Sequence, residues 1–190
     1  MEPSDEALCE RVAAGDEAAF ERLVERYQQR AFRLAWSVLR DVDGARDVSQ
    51  EAFIRLFQTA GSFAGRARFS TWFYRLVVNL SLDHHRKHRW WRQVFAREER
   101  ADEDGSALEQ HPAPPVDPGD VVDRERALAD VWAAAEQLSP QQRAALVLQV
   151  QDDLSMKDIA AVLGCSEATA RVHLHRALSA LRRTLRKERT

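Results

Sequence analysis

The chain has 190 residues, 45% of them hydrophobic and 31% charged, with 28 Lys and Arg against 30 Asp and Glu and a formal net charge of −2. That is enough chain for one ordinary domain or two small ones, and the composition is typical of a soluble globular protein able to bury a core. Cys9 and Cys165 stand far apart with no C-x-x-C spacing, which excludes a disulfide framework and a zinc pattern and fits a reducing cytosol.

In chain order, the first thirty residues are acidic and periodic, not basic and then apolar, and no apolar run reaches the length of a membrane span, so neither export nor membrane insertion is expected. Asp5 to Ala14 reads as a short helix, punctuated by Gly15 and Asp16. From Ala19 to Leu39, the residues Phe20, Leu23, Tyr27, Ala31, Leu34, Val38 and Leu39 recur at helical spacing and predict a long core helix. Asp41 to Gly44 reads as a polar break. After it, Ala45, Val48, Ala52, Phe53, Leu56 and Phe57 form an apolar stripe, with Asp47, Gln50, Glu51, Arg55 and Gln58 opposite on a face suited to a protein partner.

Gly61 to Arg92 is the most informative stretch: a small, basic, aromatic-edged loop runs straight into a long amphipathic helix. Ser70 occupies an N-cap position, and Trp72, Phe73, Leu76, Val77 and Leu80 make the core stripe. Arg75, Asn79, Asp83 and Arg86, each three or four residues on from the last, line one exposed ridge able to meet base edges and phosphates together. Between Arg66 and Arg100 nine Lys and Arg stand against three acidic residues, so a chain of net charge −2 concentrates its positive field here. A charged helix face is ordinarily just solvated, so a second basic segment is needed to carry a nucleic-acid reading. No alternating β-branched segment appears, and the first hundred residues read as an all-helical bundle.

From Ala101 to Arg126 eight acidic residues stand against Arg124 and Arg126, interspersed with Pro112, Pro114, Pro115 and Pro118. Without apolar periodicity to offset the entropy of ordering, this reads as a solvated tether. Val121 to Leu138 is helical by pattern. Ser139-Pro-Gln-Gln is a capping box with proline at the first helical position, opening a helix through about Val150. Ser155 opens another, with Met156, Ile159, Ala160, Val162 and Leu163 inward, and Gly164-Cys165 makes a turn. Ser166 caps a final helix that packs Ala170, Leu174, Ala177, Leu178, Leu181 and Leu185 and exposes Glu167, Ala168, Arg171, Val172, His175 and Arg176. A short helix, a glycine-containing turn and a longer helix with a basic face make a helix-turn-helix arrangement. From Ser166 to Thr190 seven basic residues face only Glu167 and Glu188, which favours DNA over a plain helical hairpin.

These residues together resemble the extracytoplasmic-function RNA polymerase sigma factors of the sigma-70 superfamily. Asp47-Val-Ser-Gln-Glu-Ala-Phe-Ile-Arg-Leu-Phe is similar to the family's core-polymerase-binding helix, and Phe69-Ser-Thr-Trp-Phe-Tyr-Arg-Leu-Val-Val-Asn-Leu-Ser-Leu-Asp-His to its minus-10 reading and melting segment. Leu138-Ser-Pro-Gln-Gln-Arg, Ile159-Ala, Leu163-Gly and Leu174-His-Arg-Ala-Leu match its minus-35 module. The resemblance implies an all-α protein of two small helical domains, a region 2 bundle over 1–100 and a region 4 helix-turn-helix over 124–190, joined by an acidic Pro-rich linker over 101–123. It implies that Asp47, Gln50, Glu51 and Arg55 meet the clamp helices of the polymerase largest subunit, with the second domain near the flap. Arg66, Arg68, Phe69, Trp72, Arg75, Asn79 and Arg86 would serve the minus-10 element, the loop Ala64 to Phe69 holding an unstacked base. Glu167, Thr169, Arg171, Val172, His175 and Arg176 would serve the minus-35 element. Partners implied are core polymerase, promoter DNA and an anti-sigma factor. Departures from the family pattern are Arg46, where an acidic residue is usual, Ser49 in place of an apolar one, and Val172 in place of a small polar one.

Two other readings bear on the same residues. His84 and His88 lie one helical turn apart and could share a metal ion, but no H-E-x-x-H pattern accompanies them, so neither a metal nor any other cofactor is expected. No phosphate loop, nucleophile elbow or obvious triad pattern is present, and the resemblance implies that the polymerase, not this chain, does the chemistry. A stand-alone regulator that used only the C-terminal helix-turn-helix would leave the Asn79 ridge unexplained. The two domains are expected to share a tether and no packing.

Overall fold

The computed structural model describes residues 2–98 and 137–187, with side chains as far as Lys87 in the first stretch and Arg183 in the second. The chain opens with α1 (Asp5–Ala13), capped by the Ser4 hydroxyl, which accepts from the Ala7 N–H at 3.2 Å. Helix α2 (Glu17–Leu39) is capped by Asp16, and α3 (Val42–Thr59) by Asp41, whose carboxylate accepts from the Gly44 N–H at 3.0 Å. The expected break at Asp41 to Gly44 is thus a helix start. Gly44 is buried inside the first turn, where a Cβ would stand 2.6 Å from the Asp41 carboxylate. A 3-10 turn (Ala60–Ser62) and a loop at 63–68 lead into α4 (Phe69–Glu98).

In the second stretch lie α5 (Pro140–Asp152), α6 (Met156–Leu163) and α7 (Glu167–Lys187). The Ser139 capping box forms as its spacing requires, with both reciprocal bonds to Gln142. Ser155 and Ser166 cap the next two helices, each accepting an N–H at 3.2 Å. Gly164 takes φ +65 at the helix-turn-helix corner, where the Cys165 N–H reaches the Ala160 carbonyl at 3.0 Å. Among the described residues there is no strand, in agreement with the all-α expectation. The acidic linker at 101–123 and most of the helix read over Val121 to Leu138 lie outside the described residues.

The first half is built on aromatic packing. Phe73 is fully buried, with ring centroids of Phe53 at 5.1 Å, Tyr27 at 5.5 Å and Phe69 at 5.8 Å. Burying each such side chain stabilises by about 1.5–3 kcal/mol, which is why three helices suffice to hold the unit together. Tyr27 also donates its hydroxyl to Asp5 at 2.5 Å, and Arg26 meets the same carboxylate at 2.6 Å, so α1 is pinned to α2.

The two halves share more than a tether, and the expectation of no shared packing is overturned. Helix α5 packs on α2 and α6 on α4, so that Ala144, Ala145, Leu148, Ile159 and Val162 belong to the same buried cluster as Trp36 and Phe73. The polar centre of this docking is Arg143, 7% exposed. Its Nε donates to the Ser37 carbonyl at 2.5 Å, one Nη to the Val38 carbonyl at 2.8 Å and the other to its own Leu138 carbonyl at 2.5 Å. The final carbonyls of a helix have no intrahelical donor and carry the negative end of its dipole, so a guanidinium from α5 completes the end of α2. Burial, with Arg40 nearby, holds Arg143 down at about 10. Further along the same boundary, the Tyr74 hydroxyl donates to Asp152 at 2.8 Å, Arg30 stands 3.5 Å from that carboxylate, and the Thr71 hydroxyl donates to Asp158 at 3.3 Å.

Candidate nucleic-acid interface

Residues 64–68 form a loop in which every residue is exposed, with Gly65 at φ +64, a left-handed conformation that a glycine adopts without steric cost. Arg66 and Arg68 project from it. Phe69, grouped with them on the sequence, is not available: it is the first residue of α4, is 0% exposed, and packs against Tyr27 at 5.2 Å and face to face with Phe73. Its ring therefore cannot stack on a base. Nor does Ser70 cap the helix, since it lies within the first turn; the Phe69 N–H is instead taken by the Glu6 carboxylate of α1 at 3.0 Å. Trp72 is half-buried against Phe63 and Phe69 and shows only part of its ring.

The ridge on α4 forms as its spacing predicts. Arg75, Asn79, Asp83 and Arg86 are all exposed, and Arg86 is ion-paired to Asp83 one turn back. Tyr74, Val77, Val78 and Ser81 between them are buried, which fixes the direction in which the ridge points. Asn79 stands at the mouth of a cleft of about 460 Å³, lined also by Leu82, Asp83, His85, Arg86 and, from α5, Gln141. His84 lies over Gly44, its Cε1 2.9 Å from where a Cβ would be, so it serves the contact between α3 and α4. The side chain of His88 lies outside the described residues. Among the described residues no group of three His, Cys, Asp or Glu is set to hold a metal ion.

On α7 the outer face is continuous. Glu167, Thr169, Arg171, Val172, His175 and Arg176 are exposed, with Val172 46% exposed, while Ala170 and Ala177 are fully buried beneath them. Arg171 lies 3.6 Å from Glu167, a loose exposed pair that leaves the guanidinium free to reorient.

The outer face of α3 carries Asp47, Gln50 and Arg55 exposed and Glu51 half-buried, with Arg55 Nε donating to Glu51 at 2.8 Å. Two residues missed by the sequence reading belong to the same face: Ile54 is 52% and Phe57 46% exposed. The sequence places Phe57 in the inward stripe, but it stands at the stripe's edge, with the Phe20 ring 5.3 Å away. Ile54 lies between Gln50 and Gln58 at helical spacing, an apolar residue within a polar face, and that was the signal available.

The comparisons with known proteins agree with this arrangement. The Sigma-70 region 2 family matches residues 23–91, and the Sigma-70, region 4 family matches residues 128–181. The RNA polymerase sigma-H factor of Pseudomonas aeruginosa is 33% identical over 189 residues, covering 95% of this chain and 93% of that one. The ECF RNA polymerase sigma factor SigW of Bacillus subtilis is 32% identical over 187 residues, covering 98% and 99%. The chain belongs to the ECF sigma factors of RNA polymerase. As a sigma factor it binds core RNA polymerase and promoter DNA with its region 2 and region 4 domains and directs promoter-specific initiation by recognising and melting the promoter. Sigma factors are initiation factors, and the chemistry of RNA synthesis belongs to the polymerase they bind. The fold is shared with solved structures: CnrH in complex with the cytosolic domain of CnrY gives a TM-score of 0.68 at 22% identity, covering 97% of this chain and 99% of that one. The sigma factor RpoE of Bartonella quintana, in complex with the anti-sigma factor NepR, gives 0.63 at 23% identity, covering 88% of this chain and 96% of that one. Among the described residues no helix of this sigma factor is long and apolar enough to cross a membrane.

Proposed function

We propose that three separate faces divide the work of this sigma factor. The outer face of α3, with Asp47, Gln50, Glu51 and Arg55 around the exposed Ile54 and Phe57, docks on the clamp helices of the polymerase largest subunit. An apolar pair ringed by hydrogen-bonding groups is the composition of an interface centre with a polar rim. Arg66 and Arg68 of the loop, with Arg75, Asn79 and Arg86 of α4 and the open edge of Trp72, serve the minus-10 element. Asn79 offers an amide able to pair bidentately with an adenine edge, and the arginines meet phosphate or guanine. Arg171, Val172, His175 and Arg176, with Glu167 and Thr169, serve the minus-35 element, Val172 contacting a thymine methyl. The observation that carries this reading is that an asparagine-arginine ridge and a basic recognition-type face stand exposed on two different helices while the intervening residues are buried.

In this reading the region 2 domain runs over 1–100, the linker over 101–123 and the region 4 domain over 124–190, and the chain works in the bacterial cytoplasm at the nucleoid, with no catalysis and no cofactor of its own. The linker's excess of acid suits it to a positively charged channel of the polymerase, and region 4 to the flap. An anti-sigma factor is the natural inhibitor: RpoE of Bartonella quintana, which shares the fold, was solved with one. Free, the chain should bind promoter DNA weakly. The cleft of about 460 Å³ between Asn79 and Gln141 is too small to admit a duplex, so in this reading region 4 moves off region 2 before the ridge is fully open to DNA.

The test is in vitro transcription with purified core polymerase and mapping of the start sites, alongside co-purification of tagged protein from cells. Polymerase subunits in the eluate and discrete starts sharing two upstream elements are expected. A chain that brings down no polymerase and binds an operator alone would be a regulator instead.

A further inference from the structure

Helix α1 lies far in sequence from the minus-10 loop, yet it touches the turn before it and the helix start after it. Before the loop, the fully buried Cys9 turns its thiol toward the Ala60 carbonyl of the 3-10 turn at 4.0 Å. At its end, the Glu6 carboxylate accepts the Phe69 N–H at 3.0 Å, the first backbone donor of α4. The N-terminal end of α1 is held, because Asp5 accepts from Tyr27 at 2.5 Å and from Arg26 at 2.6 Å. Tyr27 in turn packs its ring on Phe69. Between these anchors residues 64–68 are wholly exposed. From this juxtaposition we infer that Glu6 is a positioning residue for promoter recognition: acting through the Phe69 N–H, it fixes where the base-holding loop leaves α4.

The physical reasoning is that of preorganisation. A five-residue loop that is free in solution must lose conformational freedom when it closes on an unstacked base, and that cost is subtracted from selectivity. Holding one end by both a buried ring and a capped N–H removes part of the cost beforehand. A carboxylate suits the place for a second reason, since the N-terminus of α4 carries the positive end of its dipole and an orphan donor. The bond to Phe69 is also the main reason that the Glu6 carboxyl is held below its usual range. Glu6 stands in the first turn of α1 as well, where any acidic residue would favour that helix, and the experiment has to separate the two roles.

This inference rests on the loop's base-holding role proposed above, and the full chain in holoenzyme tests both. Initiation is measured from a promoter library randomised separately at the minus-10 and minus-35 elements, together with hydrogen exchange at the Phe69 amide of the free protein. Glu6→Gln keeps an acceptor oxygen at the same reach and should keep most of the minus-10 profile and of the protection of Phe69, losing only the share that the charge adds at the α4 dipole. Glu6→Asp keeps the charge on α1 but is one methylene too short to reach Phe69. It should lower discrimination at the base held by the loop by about fivefold, the factor corresponding to loss of a cap, and should speed exchange at Phe69, with the minus-35 profile unchanged. A role confined to the dipole of α1 predicts the reverse order, with Asp as good as Glu and Gln worse, and that result overturns the inference. Should Arg66→Ala and Arg68→Ala change the minus-10 profile while Glu6→Asp does not, the anchoring by Glu6 is wrong and the loop reading stands. Should the loop substitutions also leave the profile at wild type, the loop reading falls and this inference with it.

Discussion

The two halves of the molecule use different chemistry to hold themselves together. Residues 2–98 enclose an aromatic core, with Trp36, Tyr74, Phe69 and Phe73 among the largest buried side chains. Among the described side chains of residues 137–183, nothing larger than Leu and Ile is buried, apart from Arg143. Their separate cluster amounts to Leu138, Leu146, Ala177 and Ala180 with the half-buried Leu174, Leu178 and Leu181, and the rest of their buried apolar residues join the core of the first half. A small helical unit of this kind is marginal alone and gains by leaning on a neighbour. The difference teaches that docking here is a share of the second unit's core and not a loose touch between finished domains, so the same substitution should have different consequences on the two sides.

The largest effect is expected in the first half. Phe73→Ala leaves a cavity among Tyr27, Phe53, Phe69 and Tyr74 and should destabilise the chain by about 3–5 kcal/mol in chemical denaturation. A loss of less than about 1 kcal/mol would mean that the aromatic cluster is not the stabilising centre. Next comes the shared boundary. Arg143→Ala removes the donors to the Ser37, Val38 and Leu138 carbonyls and should cost about 2 kcal/mol, with a rise in radius of gyration by X-ray scattering as region 4 comes away from region 2. Arg143→Lys should behave in the same way, because one ammonium on a flexible stem cannot serve three carbonyls in the fixed fork of a guanidinium. An unchanged radius for both variants would mean that apolar contact alone keeps the halves docked.

Most helices were legible because their apolar positions recur at helical spacing and because Ser139, Ser155 and Ser166 are caps that the backbone uses as written. The Asn79 ridge and the outer face of α7 were legible for the same reason. What escaped the sequence were the pairings between distant segments. Glu6 takes the cap of α4 in place of Ser70, because α1 happens to lie across the helix start, and no local pattern records that. Phe69 carries the composition of a stacking residue but is claimed by the Tyr27 and Phe73 rings. Arg143 reads as a polar neighbour of a capping box, and only the tertiary fold shows that the end of α2 needs its donors. The docking of the halves was missed because each helix had enough apolar residues to suggest a local core, and periodicity says which face is buried without saying against what.

The recognition surfaces sharpen the comparison in a third way. Asn79→Ala should reduce base discrimination at the minus-10 element by about 1–3 kcal/mol in holoenzyme, leaving the minus-35 profile intact. Arg171→Ala should do the converse. In holoenzyme, with region 4 carried away from region 2, the two effects should add. In the free chain, substitutions at Tyr74 and Leu148 should not add, because both lie in one buried cluster. Additive free-chain stabilities for that pair, measured by a double-mutant cycle, would show the docking to be energetically empty.

The smallest expected effect separates the two buried tyrosines, which differ in where their hydroxyls go. Tyr27 donates within the first half, to Asp5, and Tyr74 donates across the boundary, to Asp152. Burial raises both phenols above the ordinary 10.0, with the neighbouring carboxylate adding to the effect in each case. An acid whose pKa is raised by folding contributes stability that is fully present below the unfolded value and is lost as pH rises beyond it, so the chain should weaken above about pH 10. Tyr74→Phe should cost about 1 kcal/mol near neutrality, the ordinary net worth of a hydrogen bond, and should flatten part of the alkaline loss. Its signature is compactness as well as stability: wild type should begin to open, by scattering, in the pH range where Tyr74 ionises, and Tyr74→Phe should lack that step. Tyr27→Phe should flatten its own share of the alkaline loss while leaving the opening step in place, because its hydroxyl holds α1 and not region 4. If both variants open at the same pH as wild type, the Tyr74 to Asp152 bond contributes nothing to holding the halves together.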